Sequence, residues 1–169
     1  MQDAVTSLIR NYDTTGRYLD GDAIANLRTY FESGTDRLTT AAIVNSRSAD
    51  LVKAAAGRLF EAVPELLLAG GNAYTTRRYS ACLRDMDYYL RYAIYAMIAG
   101  NVDVLNERVL QGLRETYNSL SVPVGPTVCG IEFLKETVKE SALEVGIVDT
   151  SFIDEPFDHM IRELGEKDI

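Results

Sequence analysis

The most informative segment of the chain covers residues 70–100 and reads GGNAYTTRRYSACLRDMDYYLRYAIYAMIAG. It begins with a Gly-Gly-Asn turn signal and ends at Gly100, with no proline or glycine between Asn72 and that residue. Its alanine, leucine, methionine and arginine content favours one long helix. At about 3.6 residues per turn, one face of that helix collects Arg78, Cys82, Asp85, Met86 and Tyr89. A thiol, a carboxylate, a guanidinium and an aromatic ring on one face indicate a binding site.

The composition is that of an ordinary globular domain. The 169 residues, 47% of them hydrophobic, suffice for one full core. A net charge of −8 argues against a nucleic-acid-binding surface, which would be basic. No apolar run approaches the roughly 20 residues of a membrane span. The opening MQDAVTSLIRNYD has no basic and apolar regions of the signal-peptide kind. We therefore expect a soluble cytosolic protein without a membrane span.

Apolar residues at helical spacing predict an all-α fold of about eight helices. The predicted helices cover residues 3–13, 24–31, 35–62 (with a break near residues 46–48), the central segment, 103–114, 127–145 and 154–164. Pro64 should end the helix predicted at residues 35–62. We expect one domain over residues 1–169, in which a helix pair (1–33) stands off a body (34–169). The apolar stripes of such a pair would need a partner surface.

The same periodicity predicts which side chains of the two longest flanking helices face the core. For residues 35–62 they are Leu38, Ala42, Asn45, Ala49, Val52, Ala56 and Leu59. For residues 127–145 they are Val128, Ile131, Leu134, Val138, Leu143 and Val145.

The remaining cysteine and the only histidine carry little chemical signal. Cys82 and Cys129 have no metal-ligand spacing, and a structural zinc site needs about four ligands. We therefore expect no metal site. Cys129 begins a predicted helix and is interpreted as a structural thiol, and His159 is interpreted as a surface or helix-end histidine.

Residues 72–92, NAYTTRRYSACLRDMDYYLRY, closely resemble the bilin-attachment helix of phycobiliprotein β subunits, and the allophycocyanin β type most of all. The opening MQDAVTSLI, the turn at residues 18–20 and residues 106–120 extend the resemblance. It implies a globin-like α domain with an added N-terminal helix pair, carrying a phycocyanobilin, an open-chain tetrapyrrole, on a cysteine thioether. Departures at residues 66–71 and from Val128 onward suggest the specialised, low-copy β-type subunit of the phycobilisome core.

The resemblance assigns a role to individual residues around the pigment. Cys82 matches the attachment position, and Asp85 matches the carboxylate that hydrogen-bonds the inner pyrrole N–H groups. Asn72 matches an asparagine that is N-methylated in β subunits. The basic residues around the propionates correspond to Arg77, Arg78 and Arg84, and aromatic neighbours to Tyr88 and Tyr89. Residues 146–154 contain no cysteine, unlike the second attachment loop of phycocyanin β subunits, so we expect one bilin per chain.

Elementary chemistry agrees with the central part of this assignment. A thiol can add to a vinyl-type side group, and a carboxylate one turn away would meet ring N–H groups near the tether. Charge-assisted hydrogen bonds of this kind are shorter and stronger than neutral ones, and arginine forks suit carboxylates. Arg84 lies on a different stripe from Cys82, so its role depends on the resemblance alone. Without the resemblance, an inert buried thiol, surface ion pairs and core aromatics would explain the same residues.

The resemblance also implies partners and a cellular place. In the family, an α-type allophycocyanin subunit pairs with the β chain, three heterodimers form a ring, and a core-membrane linker polypeptide binds nearby. Polar residues of the α/β contact correspond to Asp3, Asp13, Arg91 and Tyr95. The implied function is light harvesting in the phycobilisome core, at the cytoplasmic (stromal) face of the thylakoid membrane.

Other functions remain open at this point. The chain could be an ordinary allophycocyanin or phycocyanin β subunit, or a pigment-free helical scaffold. A thiol-dependent enzyme would lack a nearby histidine base, and a haem globin would need an axial ligand.

Overall fold

The computed structural model describes residues 1–165, and within that range the fold is entirely helical. The α-helices are α1 (Ala4–Thr14), α2 (Gly21–Glu32), α3 (Gly34–Ala62), α4 (Thr76–Ala99), α5 (Asp103–Leu105), α6 (Leu113–Leu120), α7 (Val124–Glu144) and α8 (Ser151–Gly165). A 3₁₀ turn at Pro64–Leu67 follows α3, and a π-helical segment at Asn106–Leu110 continues α5, which is a single turn. The all-α prediction is confirmed.

The core lies where the longest helices cross. Helix α3 packs along α7 and α4, and α8 packs against α7 and α4. The largest fully buried side chains of the core include Leu90, Met97, Leu105, Ile131, Leu134, Ile153, Phe157 and Met160. Helix α4 is therefore held on two sides, which fixes the position of every side chain on its inner face.

Helix α4 begins later than the turn signal at Gly70. Thr75 caps its start by accepting a hydrogen bond from the backbone N–H of Arg78, and residues 68–75 form turns before it. The helix ends at Gly100, whose φ of 60° is the left-handed conformation usual at a helix C-terminus. A Cβ at Gly100 would lie 2.5 Å from the ring of Tyr30, so close packing also demands glycine there.

The N-terminal helix pair buries little of its own surface. Within α1 no residue is buried, and in α2 only Ala23 is. Ile24 and Phe31 of α2 are both exposed. The pair touches the body at the end of α4, where the Tyr30 hydroxyl donates to the carbonyl of Ile98 over 2.9 Å. It thus leaves apolar side chains uncovered in the single chain.

Helix α3 differs from its prediction in two respects. It is continuous through residues 46–48, and the first four predicted inward residues, Leu38, Ala42, Asn45 and Ala49, are exposed. The buried residues of this half are Thr40 and Val44 instead. Leu38 and Ala56 are 18 residues apart, which is about five turns at roughly 3.6 residues per turn, so both lie on the same face of α3, and the two halves differ in whether other helices cover that face. That face meets the core only in the second half, at Val52, Ala56 and Leu59.

Three other boundaries or faces were also predicted wrongly. The helix predicted at residues 103–114 is interrupted at Gly112, whose φ of 73° breaks the helix before α6. Helix α8 begins at Ser151 rather than Asp154, because Asp149 accepts a hydrogen bond from the Ser151 N–H over 2.9 Å and Pro156 is tolerated inside the helix. At the end of α7, Leu143 and Val145 are exposed, since Ala142 and Ile147 occupy the core there.

The buried hydroxyl of Thr40 lowers the stability of the fold, and this effect can be tested. Its side chain is 1% exposed, and its hydroxyl oxygen has no hydrogen-bond partner among residues 1–165. A buried unsatisfied hydroxyl costs about 1–3 kcal/mol. We therefore expect Thr40→Val, which keeps the shape, to raise the free energy of unfolding by about 1 kcal/mol in urea titrations.

The matched control is Thr39→Val. Thr39 is exposed, and its hydroxyl donates to the Thr35 carbonyl over 2.9 Å. Such a surface change should stay within about 0.5 kcal/mol. A Thr40→Val chain less stable than the parent chain would show that its hydroxyl is satisfied.

Candidate functional site

A cavity of about 210 Å³ lies between α4, the 3₁₀ turn with its following loop, and the junction of α6 and α7. Its apolar lining comes from residues such as Leu59, Leu66, Met86, Val122 and Pro126. The polar and reactive side chains on its wall are Asn72, Arg78, Cys82, Asp85, Tyr89 and Tyr117. An apolar pocket with a few converging polar groups is the usual form of a small-molecule site.

The predicted reactive face of α4 is the face that lines this cavity. Cys82 and Asp85 are partly buried one helical turn apart, and Met86 and Tyr89 are buried beside them. Cys82 forms no disulfide. Burial raises the pKa of the Cys82 thiol above its usual value, and the negative charge of Asp85 raises it further. At neutral pH the cavity therefore holds a protonated thiol beside a carboxylate.

Asp85 is held by the residue before it. Its Oδ1 atom accepts hydrogen bonds from Arg84 Nε over 3.2 Å and from Arg84 Nη2 over 3.0 Å. Both bonds reach the same oxygen, so Oδ2 can accept further donors from the cavity side. The Arg84 side chain is 76% exposed, and it acts on the cavity through Asp85 rather than from the wall.

Asn72 and Arg78 tie the loop before α4 in place. The Asn72 amide donates from Nδ2 to the Ser121 carbonyl over 3.0 Å, which joins this loop to the end of α6. Arg78 donates from Nη1 to the Gly71 carbonyl over 3.3 Å. Each of these donor groups has further N–H bonds left for a ligand. Two loops are thus fastened at the cavity's edge.

Tyr117 is a cavity residue that sequence reasoning missed. Its hydroxyl is hydrogen-bonded to that of Tyr89, and both side chains are buried. Burial raises the pKa of Tyr117 to about 12 and that of Tyr89 still further. Both therefore stay protonated near neutrality. Tyr117 belongs to α6, 28 residues from Tyr89, and its sequence surroundings do not distinguish it from an ordinary core aromatic.

The structure does not bring three of the sequence-predicted residues onto the cavity wall. They are Arg77, Arg84 and Tyr88. Arg77 is exposed in the first turn of α4. Tyr88 lies on another face, where its hydroxyl donates to the Arg108 carbonyl over 3.1 Å and its ring packs on Tyr92. A side chain two or six residues from a given helical position does not share its face.

The predicted partner residues fall into two groups. Asp3 caps α1 by accepting a hydrogen bond from the Thr6 N–H over 2.7 Å, which lowers the pKa of its carboxyl. Asp13 is exposed near the end of α1. Arg91 lies over the rings of Tyr88 and Tyr92, and among residues 1–165 it forms no ion pair.

Tyr95 completes the second group and borders a groove between α3 and α4. Its side chain is 51% exposed, and the groove is also lined by Val44, Asn45 and Arg91. The exposed half of α3 that includes Asn45 thus continues the surface on which Arg91 and Tyr95 lie.

His159 and the acidic residues offer no second chemical site. His159 lies within hydrogen-bond distance of Asn106 Oδ1, at 2.6 Å, and is not on the cavity wall. In the described chain, no group of His, Cys, Asp and Glu side chains is arranged to hold a metal ion. None of the helices up to Gly165 combines the length and the apolar character needed to cross a bilayer.

The raised pKa of Cys82 predicts a pH dependence. Alkylation requires the thiolate, so in the pigment-free chain the rate at Cys82 should rise about tenfold per pH unit beyond pH 8.5, the usual thiol pKa. In the unfolded chain the rate should level off near that value. Iodoacetamide labelling between pH 6 and 10, followed by peptide mass spectrometry at Cys82, measures both rates. A plateau below pH 8 in the folded chain would contradict the described environment.

Comparison with known proteins gives a consistent family assignment. The sequence profile of a family described as phycobilisome protein matches residues 7–164. Allophycocyanin subunit beta-18 from Picosynechococcus sp. is 75% identical over the full length of both chains. The phycobiliprotein beta chain of Mastigocladus laminosus is 65% identical over the same extent. Allophycocyanin subunit beta-18 from Pyropia yezoensis is 52% identical, again over both whole chains.

Proposed function

The chain belongs to the phycobilisome protein family, and we propose that its cavity is the site at which it carries its pigment. It is a light-harvesting, bilin-binding subunit of the phycobilisome core, of the allophycocyanin β type, and it is not an enzyme. The single observation that carries the site assignment is geometric. A free thiol and a carboxylate lie one turn apart on the wall of an apolar cavity between rigid helices.

The residues present fit a covalently held linear tetrapyrrole. We propose one phycocyanobilin per chain, joined to Cys82 by a thioether. The Cys82 S–H adds across a carbon–carbon double bond of a pigment side group, so sulfur gains the new bond and the thiol proton ends on carbon, with no leaving group. When bound, the pigment supplies the absorption of orange-red light and passes on the excitation energy. Cys129 remains a free structural thiol, because it is not on the cavity wall.

Asp85 holds the centre of the pigment in this proposal. Its free oxygen accepts hydrogen bonds from ring N–H groups and favours their protonated, cationic form. Arg84, already paired with Asp85, holds the carboxylate in its orientation. Met86, Tyr89 and the wall from α7 restrict bond rotation, because they belong to packed helices.

The edge of the cavity suits the acidic substituents of the pigment. Arg78 is on the wall, and its guanidinium suits a propionate there. Arg77 is exposed one residue earlier, and we propose it as a second partner of the propionates from outside the wall. Tyr88 supports the site indirectly, since it fixes α4 to the π-helical segment through Arg108. Asn72 uses one N–H for Ser121, so a methyl group can replace its other amide hydrogen without loss of that bond.

The exposed surface suits assembly with neighbouring chains. As an allophycocyanin β-type chain, it pairs with an α subunit in the phycobilisome. We propose that the helix pair with Asp3 and Asp13, and the groove with Arg91 and Tyr95, form that contact. Leu120, on the cavity wall and 64% exposed, and the exposed Leu68 and Tyr74 suit a neighbouring chain that closes the cavity in a ring of three heterodimers.

The proposal extends to the position of the chain within the phycobilisome. The core lies peripherally on the thylakoid surface, and we propose its cytoplasmic (stromal) face and a position beside the core-membrane linker. The similarity to relatives named allophycocyanin subunit beta-18 favours the specialised low-copy subunit over an ordinary allophycocyanin β chain.

A visible spectrum tests the function most simply. The chain purified from cells that make phycocyanobilin should be intensely blue, and the colour should persist through denaturing electrophoresis because a thioether survives unfolding. A colourless chain from such cells would instead support a pigment-free helical scaffold. Colour lost on denaturation would mean that the pigment is not covalently held.

A further inference from the structure

The junction between the helix pair and the body contains a partly buried arginine. Arg37 lies in the first turns of α3, directly after α2. Burial lowers the pKa of its guanidinium, and among residues 1–165 no carboxylate forms an ion pair with it. A partly buried cation without an acidic partner must be stabilised in some other way.

Three helices supply that stabilisation. The guanidinium donates to Ser33 Oγ at the end of α2 over 2.9 Å and to the Met97 carbonyl at the end of α4. It also lies 5.1 Å from the ring centre of Tyr30 in α2 and 5.4 Å from that of Phe152 in α8. The last carbonyls of α4 carry the negative end of its dipole, and aromatic faces attract a cation. One side chain therefore connects α2, α4 and α8.

Two neighbouring features shape the same junction. The Tyr30 hydroxyl donates to the Ile98 carbonyl, beside the Met97 carbonyl that Arg37 uses. Gly100 lets Tyr30 and Ala4 approach, since a Cβ there would lie 2.5 Å and 3.0 Å from them. Apart from this junction, the pair has few fixed contacts. Only Ala23 is buried, and the contact between the Met1 amino group and Glu107 is exposed.

We propose that Arg37, with Tyr30, is a positioning residue that sets the angle of the helix pair to the body and so preorganises it for the α subunit. This inference rests on the proposed function in one respect, that the helix pair is the association surface. A surface that is already rigid in the free chain loses less conformational entropy on binding. Loss of the Arg37 contacts should leave each helix folded but let the pair swing.

The test uses the pigmented chain, in which Cys82 is blocked, in a Cys129→Ser background. Spin labels on Asn11→Cys in α1 and Lys53→Cys in α3, both exposed positions, report the distance between pair and body. The variants are Arg37→Met, Tyr30→Phe as a milder change, and Arg58→Met as a control. Arg58 lies further along α3 and pairs with Glu136 and Glu140 of α7. Binding to a purified allophycocyanin α subunit is measured in parallel on unlabelled chains.

We expect Arg37→Met to broaden the distance distribution and to raise the dissociation constant by about tenfold or more. Tyr30→Phe should do both to a smaller extent, and Arg58→Met should do neither. A distribution as narrow as that of the parent chain, or a broadened one with unchanged affinity, would overturn the inference. Equal effects of Arg37→Met and Arg58→Met would also overturn it, since they would reflect general destabilisation.

Three further outcomes keep the result decisive. If Arg37→Met does not fold, Tyr30→Phe is judged by the same two measurements. If Cys82 of the parent chain bears no pigment, the proposed function is wrong independently of Arg37. If the pigment is present and Arg37→Met binds the α subunit normally, only this inference is wrong.

Discussion

Cys82→Ala will yield a chain without covalently bound pigment when it is made in cells that supply phycocyanobilin. The cavity wall offers one thiol, and alanine removes the only atom on it that can form a thioether. We expect covalent colour on a denaturing gel to fall to the background, while circular dichroism of the helices stays unchanged. The comparison is made at equal protein load.

Cys129→Ala is the matched control for this loss. Cys129 is partly buried on α7 and does not line the cavity, so its removal should leave the covalent colour intact. Cys82→Ala protein with colour that resists denaturation would refute the attachment claim. If covalent colour is lost in Cys129→Ala but not in Cys82→Ala, the pigment is attached to Cys129 instead.

Asp85→Asn should weaken the absorption and shift it to the blue, with the pigment still attached. The amide keeps the shape of the carboxylate but not its charge, so Asp85 can no longer favour protonated ring nitrogens. An opposite charge within about 4–6 Å typically moves a pKa by about 1–3 units. The pKa of the bound chromophore should fall by about that amount, so its long-wavelength band should disappear at correspondingly lower pH. Absorption spectra between pH 4 and 10 measure the shift.

Asp87→Asn provides the control on the same helix. Asp87 is exposed and lines the groove near Tyr95, not the cavity. Its spectrum and titration should match those of the parent chain. If Asp85→Asn instead has an unaltered spectrum, Asp85 has no role in holding the protonated pigment.

The central face of the site could be predicted from sequence because one helix carries it. Helix α4 runs from Thr76 to Ala99 without proline or glycine, so helical periodicity alone places Cys82, Asp85 and Tyr89 together. Asn72 lies outside that helix, and only the resemblance pointed to it. Tyr117 reaches the cavity through the packing of α6, which no local pattern encodes.

The wrongly predicted inward faces have their physical origin in tertiary context. The apolar stripe on α3 predicts an inward face, but in its first half no other helix of the described chain covers that face, so its side chains are exposed there. The exposed half begins at Leu38 and includes Asn45, which borders the groove with Arg91 and Tyr95. Apolar periodicity shows that a face is covered, but not whether the core or another subunit covers it.

The most direct test of the account is the mass of the Cys82 peptide from protein isolated in its native state. We predict a single increment equal to one phycocyanobilin on the peptide that contains Cys82, with Cys129 recovered as an unmodified thiol. A native Cys82 peptide with the mass of a free thiol would contradict the account.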